Sequence, residues 1–279
     1  MNFQCFIFIF LLLFVFSCSR EKYSLVNSNY VYHICRHRDS IYFSTLANGI
    51  FCFHPDHPET VRRVAGRGST PFRSFIFMND TIIASSCQDG LYRAEGDSMY
   101  PVMSAPYPGW SIKLDEEKNI WVAGIRGIWH EIQGKFISFS TRSDVHDIAF
   151  YRGKLAITDS KGISLYDKNT GHLEHEWRRG VVCWTAKSYD SLLIGGGQNL
   201  CLIVNNETCR EYRVGPDNNA LWTTVLDSQG NVYCGTQKGL YRIDIKSNTV
   251  SCIGSKGVCI KSLFIDSKMR LWAGKFSKD

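Results

Sequence analysis

The side chains best equipped for chemistry are scattered along this chain. Eight histidines are present, and the densest group, His33, His37, His54 and His57, falls in one early segment. His54-Pro55-Asp56-His57 has the outline of half a metal site. A structural zinc centre needs four ligands, however, and no third ligand spacing accompanies the pair, so a proline turn is the better reading. Nine cysteines follow Cys18, an odd number without any C-x-x-C spacing. Most sit in apolar strand-like runs such as NVYCGT, where a thiol is a small hydrophobe. Cys201 and Cys209 flank an expected hairpin turn and form the best-placed pair for a bridge. Asp115, Asp227 and Asp266 recur at the ends of strand-like runs, where a carboxylate caps a turn by accepting backbone N–H bonds. Gly195-Gly196-Gly197 stands at a strand end that calls for glycine anyway. No G-x-S-x-G, H-E-x-x-H, P-loop or dinucleotide fingerprint occurs. No catalytic residue, metal or cofactor is therefore expected, and the chain does not read as an enzyme.

A second set of residues is defined by position. Tyr32, Arg73, Trp110, His146, Trp184, Trp222 and Lys261 each stand just ahead of an expected inner strand. If those strands surround an axis, the seven form a rim at one end of it. Aromatic rings with two or three cations suit a planar sugar face or an anionic group. The competing reading wedges the three tryptophans between sheets as core, and a one-residue slip in register exchanges the two. The connecting segments add Arg62, Arg63, Arg67, Tyr107, Arg178, Arg179, Asn218 and Asn219 as loop candidates.

What must position these residues is a repeat. Seven segments share one pattern: DSIYFST (39–45), DTIIASS (80–86), KNIWVAG (118–124), GKLAITD (153–159), DSLLIGG (190–196), GNVYCGT (230–236) and MRLWAGK (269–275). Their third residues recur every 35 to 41 positions. Five are followed by a glycine and an apolar residue: Gly49-Ile50, Gly90-Leu91, Gly127-Ile128, Gly162-Ile163 and Gly239-Leu240. The fifth segment has Asn199-Leu200 instead. β-Branched and aromatic residues in runs of four to eight are strand patterning, and no helical-length apolar stripe appears. In the best copy, strands are expected at Trp222–Leu226, Asn231–Thr236, Leu240–Asp244 and Thr249–Ile253. A four-stranded unit with a period near 40 predicts an all-β fold, a seven-bladed β-propeller of four-stranded blades whose last blade is incomplete.

The stretch LDSQGNVYCGTQKGLYRID (226–244), and in part LDEEKNIWVAGIRGIW (114–129), resembles the two-component-regulator propeller repeat. The resemblance covers residues 32–279. It implies the extracytoplasmic sensor region of a bacterial hybrid histidine kinase, of the kind found in Bacteroidetes, with glycan fragments as common ligands. Family sensors continue into a second propeller, an immunoglobulin-like domain, a membrane helix and a kinase core, so only the first part is represented. The implied function is non-catalytic ligand sensing, with a small-molecule, oligosaccharide or peptide ligand and a sensor-kinase partner or a second copy of the chain. Two alternatives are a streptogramin-lyase-like propeller enzyme, for which only His146 is suitably placed, and a truncated, non-signalling sensor remnant.

The ends and the bulk composition agree with export. Residues 1–17, MNFQCFIFIFLLLFVFS, have the apolar character of a signal segment, and Val15-Phe16-Ser17-Cys18 resembles a lipobox that would lipidate Cys18. Residues 18–31 are expected to be a linker or a closing strand, and 32–279 the propeller. A periplasmic or outer-membrane lipoprotein is expected, with an ordinary cleaved signal or an uncleaved anchor as the alternatives. The formal charge of +6 is modest, with no dense basic stripe for nucleic acid.

Overall fold

The computed structural model describes residues 30–276 except 47, 67–69, 103–108, 141–143, 178–179, 181 and 207. The signal segment, Cys18, Arg67, Tyr107, Arg178 and Arg179 lie outside the described residues. Every element assigned is a β-strand, and no helix among the described residues is long and apolar enough to cross a membrane.

The strands form consecutive antiparallel sheets. Blade one comprises β1 (Val31–His37), β2 (Ser40–Thr45), β3 (Ile50–His54) and β4 (His57–Ala65). Blade two comprises β5 (Phe72–Met78), β6 (Thr81–Ser86), β7 (Gly90–Glu95) and β8 (Ser98–Pro101). Blade three is β9 (Gly109–Leu114), β10 (Ile120–Gly124), β11 (Gly127–Ile132) and β12 (Lys135–Ser140). Blade four is β13 (Asp147–Tyr151), β14 (Lys154–Asp159), β15 (Gly162–Asp167) and β16 (Leu173–Trp177). Blade five holds β17 (Cys183–Tyr189), β18 (Leu192–Gly197), β19 (Leu200–Asn205) and β20 (Thr208–Arg213). Blade six holds β21 (Leu221–Leu226), β22 (Asn231–Thr236), β23 (Gly239–Asp244) and β24 (Thr249–Gly254). A final pair, β25 (Ile260–Ile265) and β26 (Leu271–Lys275), makes a two-stranded sheet.

The propeller thus has six four-stranded blades, which corrects the expectation of seven. Third strands start at, or directly after, a residue with positive φ: Gly49 at 87°, Gly90 at 103°, Gly127 at 115°, Gly162 at 134° and Gly239 at 139°, with Asn199 at 46° in blade five. Only glycine, or asparagine in the left-handed region, adopts such values at little cost. The last sheet has two strands among the described residues.

The inner strands pack side by side around an axis, β1 against β5, β9, β13, β17, β21 and β25 in turn, and β25 returns to β1. Ser262 Oγ donates to the Val31 carbonyl at 3.4 Å across that return. Trp272 of β26 joins Val31, Ile34, Phe43, Phe51 and Phe53 in one apolar cluster, with its ring 5.0 Å from Phe53. Val31, placed by sequence in the linker or closing segment, is instead the first residue of the inner strand of blade one. Outer strands such as β12 and β24 are largely exposed, so the core lies between the inner halves of adjacent blades.

The recurring aspartates stitch first strands to second strands. Asp115 accepts the Asn119 N–H at 2.8 Å and the Trp121 indole N–H at 3.0 Å. Asp227 accepts the N–H groups of Gln229 (2.9 Å) and Asn231 (2.8 Å) and the Tyr233 hydroxyl (3.2 Å). Asp266 accepts those of Lys268 and Arg270, both at 2.9 Å, and the Trp272 indole at 3.0 Å. Burial opposes ionisation of Asp266, but these bonds and the Arg270 guanidinium outweigh it and hold the carboxyl below its usual range. The repeat therefore carries an aspartate because one side chain satisfies a turn and anchors the aromatic six residues on.

Candidate functional site: the aromatic–cationic channel

The position of the seven rim residues comes from a defect repeated in the strands. On β1, Val31 pairs with Thr45 and His33 with Ser44, which leaves Tyr32 as the extra residue of a β-bulge. The same skip isolates Arg73 on β5, Trp110 on β9, Trp184 on β17, Trp222 on β21 and Lys261 on β25. His146, one residue before β13, bonds through its backbone N–H to Thr158 O at 2.8 Å. A bulge breaks the two-residue alternation and re-aims a side chain. Two consecutive residues of each inner strand consequently face the axis, and all seven rim candidates line one central cavity of about 90 Å³.

Around that cavity the rim side chains contact one another in order. The Arg73 guanidinium lies 4.8 Å from the Trp110 ring centroid. Trp110 stacks on His146 at 5.2 Å, His146 meets Trp184 at 4.2 Å, and Trp184 meets Trp222 at 5.2 Å. Lys261 Nζ sits 2.9 Å from the Trp222 centroid and 4.9 Å from that of Phe276. Phe276 meets Tyr32 edge-on at 5.6 Å and completes the belt beside Arg73. The tryptophans are neither wedged between blades nor free-standing platforms. Their faces are taken by neighbours in the belt. Phe276 had no sequence signal, because it lies beyond the last repeat segment.

Burial sets the electrostatics of the belt. It pushes the Lys261 ammonium down to about 8, assisted by Arg73 and opposed by Cys259. Burial likewise lowers Arg73 and raises Tyr32. His146 is pushed below its ordinary value by burial, although a 2.8 Å bond from Nδ1 to the Cys183 carbonyl works the other way. At neutral pH it is an uncharged ring clamped between two indoles.

Beneath the belt, the next residue of every inner strand is polar: His33, Asp147 and the hydroxyl side chains Ser74, Ser111, Thr185, Thr223 and Ser262. Lys113 and Lys187 reach the same space two positions further on. This second ring was missed in the sequence, where serine and threonine in strands are unremarkable. The signal was the coincidence of seven polar residues at one repeat position.

The other sequence candidates fall elsewhere. Arg62 and Arg63 belong to the outer strand β4, not to a blade connection, and Arg63 covers the Phe51 ring at 5.9 Å. Asn219 is buried and braces its loop, donating to Val214 O and accepting from Lys238 N, both at 2.9 Å; Asn218 is exposed with a φ of 56°. His54 and His57 flank the β3–β4 turn, and no group of three potential metal ligands occurs among the described residues. None of the nine described cysteines is in a disulfide; Cys201 lies beside Cys234 of the next blade, not Cys209, and that thiol together with burial raises its pKa far above the ordinary value.

No protein-family model and no curated protein matches the sequence. Solved structures do match the fold. The extracellular domain of the putative hybrid two component system BT4673 from B. thetaiotaomicron superposes with a TM-score of 0.75 at 15% identity, over 90% of this chain and 37% of that one. A second structure, of the extracellular domain of a putative one component system BT4673 from the same organism, gives 0.75 at 14% identity over 90% and 38%. The WD40 β-propeller domain of Doa1 gives 0.70 at 10% identity, covering 88% of this chain and 90% of that one. The chain spans little more than a third of the length of the BT4673 domains. The fold is a β-propeller shared with extracellular domains of that system, in agreement with the resemblance read from the repeat.

Proposed function

We propose that this chain is a non-catalytic ligand-binding propeller on the extracytoplasmic side, part of a sensing system, with the belt as its ligand face. The observation that carries this reading is the convergence of Tyr32, Arg73, Trp110, His146, Trp184, Trp222 and Lys261, from six inner strands and the residue just ahead of β13, at one end of the axis. A structural role alone does not call for two cations among packed rings, since partly buried cations carry a desolvation cost that cation–π contacts offset only in part. The likeness to extracellular domains of BT4673 supports export, and lipidation at Cys18 would hold the propeller at a membrane. Because the indole faces are occupied, the ligand is a glycan fragment or peptide that touches ring edges and places a polar or anionic group near Arg73 and Lys261.

The test is a thermal-shift screen against neutral and acidic oligosaccharides and short peptides, repeated with Trp110→Ala and Trp222→Ala. A ligand-induced rise in Tm should disappear in both variants while each still unfolds cooperatively. A rise of the same size in either variant would remove the belt as the ligand face.

A further inference from the structure

The charges below the belt do not balance. Lys113 and Lys187 project into the cavity, and Asp147 is the one carboxylate among the described residues lining it. Asp147 is already committed. Its Oδ1 accepts from Ser111 Oγ at 2.6 Å and from the Ile148 N–H at 3.0 Å, and its Oδ2 accepts from the Ala186 N–H at 3.0 Å. Lys113 Nζ stands 3.8 Å from Asp147 Oδ1, an ion-pair contact longer than a hydrogen bond. For Lys187 no carboxylate lies within ion-pair distance among the described residues. With Arg73 and Lys261 above, the channel holds four cationic side chains and one saturated carboxylate.

The neutral groups beside the lysines are donors as well. The Phe75 N–H donates to His33 Nδ1 at 3.3 Å, so the proton of that neutral ring sits on Nε2. Burial, Lys113 and Lys187 together hold His33 well below its ordinary pKa and keep the ring neutral. Thr185 and Thr223 add hydroxyls from β17 and β21. Ammonium, imidazole N–H and hydroxyl groups around one saturated carboxylate suit an anion and offer little to a metal ion. Size narrows the choice. A cavity of about 90 Å³ holds several waters or one small oxyanion, against ~300–1,000 Å³ for a pocket that encloses a whole ligand.

We propose that the channel beneath the belt is a binding site for a small oxyanion, held between Lys113 and Lys187 with donors from His33 and the hydroxyl ring. The anion is either free in solution or the terminal acidic group of a larger molecule lying on the belt. The site rests on the channel alone and stands whether or not the belt is the ligand face.

Binding must then follow the charge on Lys187. The neighbouring Lys113 charge, followed by burial, brings that ammonium down to about 8, while Asp147 and Cys35 act in the opposite direction. The groups facing it are Lys113 of β9, Asp147 of β13 and His33 and Cys35 of β1; those at the same level on β21 and β25 are uncharged. An anion that needs the protonated amine binds more weakly as pH rises through 8.

The experiment uses the full chain, freed of polyvalent anions, in chloride at constant ionic strength, with calorimetric titration of sulfate and inorganic phosphate. Saturable binding of one anion per chain is expected. It should weaken at least tenfold in Lys113→Met or Lys187→Met and vanish in the double variant. For sulfate, which does not titrate in this range, affinity should fall severalfold from pH 7 to 9, and still do so in Lys261→Met. Where a methionine variant does not fold, the glutamine pair, Lys113→Gln and Lys187→Gln, takes its place. Glucose 6-phosphate identifies the source: tighter binding than phosphate, lost in part with Trp222→Ala, marks an acidic end group, and tighter phosphate binding marks a free anion. Absence of saturable binding, or sulfate binding undiminished in the double variant or at pH 9, would overturn the proposal.

Discussion

The aspartate turns and the channel belt are both read from recurring positions in the same repeat, yet they recur differently. At the turns the residue itself returns: Asp115, Asp227 and Asp266 each satisfy backbone N–H groups and hold an aromatic six residues later. At the belt only the position returns, and it is filled by Tyr, Arg, Trp, His, Trp, Trp and Lys in succession. A role performed inside one turn selects the same side chain wherever it recurs, here in three of the seven sheets. A role performed once, by all the blades together around an axis, selects a different side chain from each. Repetition of identity marks architecture, and repetition of position with varied identity marks a candidate site.

The largest effect that can break this contrast is on stability. Trp121 is 2% exposed, donates its indole N–H to Asp115, and packs among Phe139, Phe150 and His130. Trp222 touches Trp184 and Lys261 along the channel. Trp121→Ala should cost about 3–5 kcal/mol, as for large core aromatics, and leaves Asp115 without its indole partner. Trp222→Ala should cost about 1–2 kcal/mol, because the channel admits water to the space it leaves. Urea denaturation measures both. Equal losses would make the belt core, and the contrast would fail.

How much of this was legible in the sequence follows the same division. The glycine–apolar pairs and the aspartate turns at Asp115, Asp227 and Asp266 display the blades directly, since each local conformation demands a particular residue type, and the strands of blade six fall within one residue of expectation. The belt was legible as a position, but its facing was not. Strict alternation lets a residue at the rim or its successor face the axis, not both, and the bulges at Tyr32, Arg73, Trp110, Trp184, Trp222 and Lys261 remove that choice. Nothing in a hydrophobic pattern announces a bulge. Lys113 and Lys187 were not legible at all, because a lysine in a strand reads as a solvated face until closure turns that face inward.

A smaller effect separates the two regions by pH. Above the usual carboxylate range Asp115 and Asp266 contribute their full stability, and that contribution is lost as pH falls through their lowered folded-state values. Lys187 behaves in the opposite sense. It titrates at about 8 in the folded chain against ~10.4 when unfolded, so between these values the unfolded chain holds more protons and stability rises with pH. The wild type should therefore gain on Lys187→Met by about 1 kcal/mol from pH 8 to 10, after allowance for screening by channel water. Paired denaturation curves at the two pH values check the sign, and a gap that widens against the wild type would remove the charge imbalance.

The smallest effect tests whether identity matters where only backbone geometry is at stake. Asn199 directly precedes the third strand of blade five with a φ of 46°, where the other complete blades have glycine between 87° and 139°. Its side chain adds one exposed bond, from Nδ2 to Asp217 Oδ1 at 3.2 Å. Asn199→Gly removes that bond and gives the unfolded chain more freedom, and it also relieves the left-handed strain of a residue with a Cβ. The opposing effects should leave stability within about 0.5 kcal/mol of wild type, measured by urea denaturation. A loss well beyond that would give Asn199 a role of its own in the loop that carries Asp217, and would move blade five from the repeated architecture to the individually chosen residues of the channel.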